Sequence, residues 1–112
     1  DVEMKKLKQK NDIGYICSAF GNQYLLTVAM EECAELIQPV SKIKRYGCSK
    51  EYCDNLNEEI ADVSICIEAL LKMRCADANK INDYYKKKLK RLFDRAKELE
   101  DNEKLEDSEW DG

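Results

Sequence analysis

LLTVAMEECAELIQPVSKI, residues 25–43, sets acids inside an otherwise apolar helical pattern. At about 100° per residue, Leu25, Ala29, Leu36, Val40 and Ile43 cluster on one side of a helix. Glu32 falls on the edge of that cluster, with Val28 and Leu36 as its i−4 and i+4 neighbours. A carboxylate held at a core boundary is costly unless something compensates its charge. The combination returns in NLNEEIADVSICIEAL, residues 55–70, where Leu56, Ile60, Val63, Ile67 and Leu70 form a stripe flanked by Glu59 and Asp62. Glu32 and Glu35 are spaced i,i+3, as are Glu59 and Asp62, so each pair projects from one side of its helix. Antiparallel helices joined by a short connection point the four carboxylates into one cleft. Such a ligand set suits Mg2+, with Mn2+ as a substitute, because both ions prefer oxygen donors. Glu51, Glu58 and Glu68 are read as solvent-facing.

Outward from the two motifs, punctuation predicts four helical segments and an all-α fold, an antiparallel bundle of about four helices. The first runs from residue 3 to about 19, is interrupted near residues 11–14, and ends at Gly21. The second covers residues 22 to about 46 and stops at Gly47, a C-cap. Pro39 lies inside it and is expected to kink it, since proline cannot bond the Glu35 carbonyl. Residues 49–54 are a polar connection in which Ser49 or Asp54 caps the third helix, residues 55 to about 74. Asp77 introduces a fourth from about 78 to 99, with Ile81, Tyr85, Leu89 and Leu92 as its buried stripe. Residues 1–99 are read as one domain, and the acidic run at 100–112 as a disordered tail.

Composition narrows the chemistry. The chain has 112 residues, 38% of them charged, with one proline and four glycines. That length allows one modest core. The chain has no histidine, which removes His-based triads and the Glu-x-x-His ligands of ferritin-like di-iron sites. Six cysteines without histidine make a poor zinc set. Cys17, Cys33, Cys66 and Cys75 are read as reduced core thiols, and Cys48 and Cys53 as unpaired thiols flanking the connection. A net charge of −4 and a pI near 5.0 argue against nucleic acid as the main partner. No apolar run has the length of a membrane span and no secretory pattern opens the chain, so a cytoplasmic protein is expected. Asp1 rather than Met at the start suggests trimmed N-terminal sequence.

The residues E-E-C-A-E-L-I, then N-L-N-E-E-I-A-D-V, then the basic K-K-K-L-K-R-L, resemble the MazG-like nucleoside triphosphate pyrophosphohydrolases of the all-α NTP pyrophosphatase superfamily. The family signature, E-E-x-x-E followed by E-x-x-D, is present in both halves, and the similarity of pattern runs from about residue 20 to 95. The resemblance implies Mg2+-dependent hydrolysis of a (d)NTP to the (d)NMP and pyrophosphate, with water attacking the α-phosphorus, serving to clear noncanonical or surplus nucleotides. It implies Glu32, Glu35, Glu59 and Asp62 as metal ligands, and Glu31 beside Glu32 in the catalytic step, orienting water or holding a second ion. Phosphate contacts carry over to Lys88 and Arg91, with Lys42 and Arg45 as further candidates, and Tyr46, Tyr52, Tyr84 or Tyr85 could stack on a base. A homo-oligomer, dimer or tetramer, is expected to complete the core. Two other readings stay open: a nucleotide sensor without turnover, and a noncatalytic helical interaction module.

Overall fold

A computed structural model describes residues 9–102, and among them every regular element is a helix: α1 Gln9–Phe20, α2 Asn22–Tyr46, α3 Lys50–Lys72 and α4 Ala78–Asn102. The chain divides into two compact units between Ala76 and Asp77, the first containing α1–α3 and the second α4. Residues 1–8 of the expected first helix and 103–112 of the expected tail lie outside the described residues. No helix among the described residues is long and apolar enough to cross a membrane.

The α2–α3 hairpin is built by its punctuation. Gly47 adopts φ +88°, a value side chains disfavour, and its N–H closes α2 on the Ile43 carbonyl at 2.8 Å. Ser49 then caps α3, its hydroxyl accepting the Tyr52 N–H at 3.1 Å. Ser49 is therefore the cap, and α3 starts at Lys50, well before the expected residue 55. The connection shrinks to residues 47–49, and the two helices pack antiparallel along their length. Pro39 is fully buried within α2, which continues unbroken to Tyr46.

The expected stripe on α3 is kept in part, with Leu56, Val63 and Leu70 half-buried. Cys66 and Ala69 are buried and Glu59 and Asp62 half-buried, whereas Ile60 and Ile67 are 47% and 50% exposed. Small side chains at Cys66 and Ala69 fit a close helix pairing, which rotates the two isoleucines onto an outer shoulder. On α2 the same rotation buries Pro39 and leaves Val40 exposed. Cys33 and Cys75, expected in the core, are exposed, while Cys66 is buried; all six cysteines are free thiols.

α1 is continuous through residues 11–14, where an interruption was expected. Its Gly14 meets the end of α3 so closely that an added Cβ would lie 3.2 Å from Lys72 Cε. The Cys17 thiol contacts the Ala69 carbonyl at 3.8 Å, donating to it from the same face. Gly21, at φ +87°, is the single-residue joint to α2, and the Phe20 and Tyr24 rings stack across it at 5.1 Å.

α3 ends in a Schellman-type turn: the Arg74 N–H bonds the Leu71 carbonyl and the Cys75 N–H bonds that of Leu70. Arg74 sits at φ +64°, the one non-glycine residue in that region among those described. An L side chain there costs about 1 kcal/mol. Arg74→Gly is therefore expected to stabilise the fold by roughly 0.5–1 kcal/mol, read as a raised midpoint in urea unfolding; an unchanged or lowered midpoint would show that the arginine side chain itself holds the turn.

In α4 the Asp77 carboxylate caps the helix, accepting the Lys80 N–H at 3.0 Å. Lys90 and Asp94 form an exposed ion pair at 2.9 Å, worth little by itself. The stripe expected to be buried is exposed on this helix: Ile81, Tyr85, Leu89 and Leu92 all face outward.

Candidate metal centre

Midway along the hairpin, the antiparallel pairing brings Glu32 of α2 against Glu59 and Asp62 of α3. One carboxylate oxygen from each lies within 4.8 Å of the others. Glu59 and Asp62 are one turn apart on α3, so a single position on α2 meets both. All three side chains are half-buried.

The electrostatics of this triad are unfavourable as it stands. Glu32 Oε1 and Glu59 Oε1 are both shielded from solvent and have no hydrogen-bond partner. Loss of solvent is the main cause that pushes the Glu32 carboxyl from 4.5 up to about 7, and the charges of Glu35, Asp62 and Glu59 add to it. A side-chain hydrogen bond between Glu32 and Asp62 acts in the same direction, favouring a proton held between the two. Glu59 is also raised, first by desolvation and then by Glu35, Asp62 and Glu58; a hydrogen bond from Asn55 pulls the other way. Beneath them, burial raises the Cys66 thiol, with the Glu32 charge next in effect.

The expected site residues divide accordingly. Glu32, Glu59 and Asp62 form the tight triad, while Glu35 is exposed and stands outside it, close enough to act on Glu32 and Glu59 by charge. Glu31 is exposed on α2. Lys42 and Arg45 lie on the last turns of α2, with Lys42 Nζ 5.8 Å from the Tyr52 ring centre and the Arg45 guanidinium 5.3 Å from that of Tyr46. The two rings lie 6.2 Å apart, so cations and aromatics form one cluster at the closed end of the hairpin. Lys88 and Arg91 are exposed on α4, in the second unit.

Asn55 is the residue that sequence reasoning missed. It precedes Glu59 by four positions, so the two share a helix face, and that spacing was the available signal. Cys66 is likewise one turn beyond Asp62 and was read only as packing.

The donor set fits a hard divalent cation. Three carboxylates supply only oxygen ligands, and two of those oxygens are shielded without any proton donor to satisfy them. The Lys50–Asp54 and Lys90–Asp94 ion pairs lie away from the triad. Comparison of the chain with protein-family models, with curated proteins and with solved structures found no match.

Proposed function

We propose that the chain is a Mg2+-dependent nucleoside triphosphate pyrophosphohydrolase of the MazG-like kind, converting a (d)NTP to the (d)NMP and pyrophosphate. The observation that carries the metal half of this reading is the pair of shielded, partnerless carboxylate oxygens on Glu32 and Glu59 facing Asp62. The substrate half rests on the resemblance of E-E-C-A-E and E-I-A-D to the family signature.

Glu32, Glu59 and Asp62 would hold Mg2+, with Glu35 adding negative charge at the rim. When bound, the ion supplies positive charge to the triphosphate oxygens and lowers the pKa of water at the site. Glu31, exposed and adjacent to Glu32, is assigned the task of accepting a proton from the attacking water and orienting it. Lys42 and Arg45 supply cationic charge at the hairpin end, and Tyr46 and Tyr52 offer ring faces for a base. Lys88 and Arg91 are assigned phosphate contacts. The exposed Met30, Ile37, Ile60 and Ile67 of the hairpin, and Ile81, Leu89 and Leu92 of α4, support a homo-oligomer that covers them; a cytoplasmic setting belongs to the same reading.

The test is incubation with Mg2+ and a panel of ribo- and deoxyribonucleoside triphosphates, resolving pyrophosphate from orthophosphate. Pyrophosphate with the monophosphate, lost on adding EDTA, is the expected result. Orthophosphate with the diphosphate would overturn the cleavage position, and absence of any turnover across the panel would overturn the hydrolase.

A further inference from the structure

The closed end of the hairpin holds a second reactive group, built by the same cap that starts α3. Ser49 is the N-cap and Lys50 the first helical residue, which puts Cys48 immediately before the cap and Cys53 at the fourth helical position. Apolar side chains at those two positions often pack on each other across a helix start, forming a hydrophobic staple. Here both are cysteines. Gly47, with its φ of +88°, turns the chain into this arrangement, so the placement of Cys48 is set by backbone. Both thiols are free, Cys48 exposed and Cys53 half-buried. Cys48 comes first, ahead of burial, among the causes that raise the Cys53 thiol above its ordinary range.

We infer that Cys48 and Cys53 form an oxidisable dithiol, a modification site that closes to an intrachain disulfide on reaction with a hydroperoxide. Cys48, the exposed member, meets the oxidant. Its thiolate attacks the terminal peroxide oxygen, the O–O bond breaks, and the sulfur becomes a sulfenic acid while the other oxygen leaves after protonation, as water from hydrogen peroxide or as the alcohol from an organic hydroperoxide. The Cys53 sulfur, giving up its proton, then attacks the Cys48 sulfur. The S–S bond forms, the S–O bond breaks, and water leaves. The two thiols lose two protons and two electrons, and the hydroperoxide is reduced by the same two electrons; a thiol reductant reverses the closure.

The bond would span the cap itself. Tyr52, one residue before Cys53, donates its N–H to Ser49 and carries the ring beside Lys42 and Tyr46. Oxidation therefore freezes the aromatic and cationic cluster at this end of the hairpin. The carboxylate triad lies farther along both helices and takes no part in the chemistry.

Hydrogen peroxide added to the full chain, followed by thiol alkylation, mass spectrometry and tryptic mapping, tests this. Cleavage after Lys50 separates the two cysteines into different peptides, so the link appears as a joined pair, residues 46–50 with 51–72. Fragmentation assigns the second sulfur to Cys53 rather than Cys66. The expected result is a loss of two hydrogens, reversed by dithiothreitol, absent in Cys48→Ser and in Cys53→Ser, with a Tm about 4 °C or more higher in the oxidised wild type. Cys48→Ser changes an exposed side chain, so its failure to close is read on a folded protein. A link to Cys33, Cys66 or Cys75, a bond between chains, or oxidation of Cys48 to the sulfinic acid without a link would overturn the inference.

Discussion

Replacing Glu59 with Gln is expected to raise the melting temperature of the metal-free protein and, in the same variant, to cut Mg2+-dependent hydrolysis about 100-fold or more. The two effects share one cause. Glu59 presents a shielded oxygen with no hydrogen-bond donor, beside Glu32 and Asp62 and within the field of Glu35. The amide removes one negative charge and adds a donor that its carboxylate neighbours can accept. The apo hairpin gains by losing repulsion, whereas the ion loses a ligand and a unit of balancing charge. Thermal melts of wild type and variant, each with and without Mg2+, check this. The wild type should rise in Tm with Mg2+ and the variant barely respond. A surface decoration would behave differently: Tm and its metal response would stay unchanged. A destabilised apo variant would mean that the hydrogen bond from Asn55 to the Glu59 carboxylate outweighs the repulsion from its acidic neighbours.

In metal-free buffer, raising the pH from about 4.5 to 7 is expected to lower the stability of the wild-type protein. Glu32 has its folded pKa raised from 4.5 to about 7. Across that window the native state retains a proton that the unfolded chain has released, so stability falls as pH climbs. The contribution is fully present below the unfolded value and gone once the pH has passed the folded one. Glu59, shifted in the same direction, adds to the effect. On the proposed function, divalent cation is expected to reverse the trend, because Mg2+ or Mn2+ would bind the ionised carboxylates. Its stabilisation is therefore expected to be large at pH 8 and small at pH 5. Denaturant melts across this range, with and without Mn2+, provide the check. Stability that climbs with pH in the absence of metal would mean that Glu32 is ionised and satisfied in the native state.

Much of the site was legible because it depends on local spacing. The i,i+3 pairs and the glycine stops at Gly21 and Gly47 define two helices and their carboxylates without reference to any other part of the chain. What escaped reading depends on distant partners. Gly14 looks like a helix breaker until Lys72 is seen against it, since its value lies in the space it leaves for α3. Periodicity offers two overlapping arcs on α3, one centred on Ile60 and Ile67 and the other on Glu59, Asp62 and Cys66. The packing draws on both, half-burying Leu56, Val63 and Leu70 together with Glu59 and Asp62 while Ile60 and Ile67 turn outward. Ser49 and Asp54 were equivalent cap candidates by residue type, and the hydroxyl position decides between them. On α4 the apolar spacing of Ile81, Tyr85, Leu89 and Leu92 specifies a face but not what lies on it.

The three-residue connection between α2 and α3 also bears on how fast the protein folds. Glu32 and Asp62 are 30 residues apart in sequence, but only residues 47–49 separate their two helices, so once the helices exist the hairpin can zip from its closed end. The step that zips the helices is then the step that crowds the carboxylates. Their repulsion is expected to slow that step and a proton to relieve it, so that pH, and a divalent ion if the proposed site binds one, would govern the folding rate as well as the folded state.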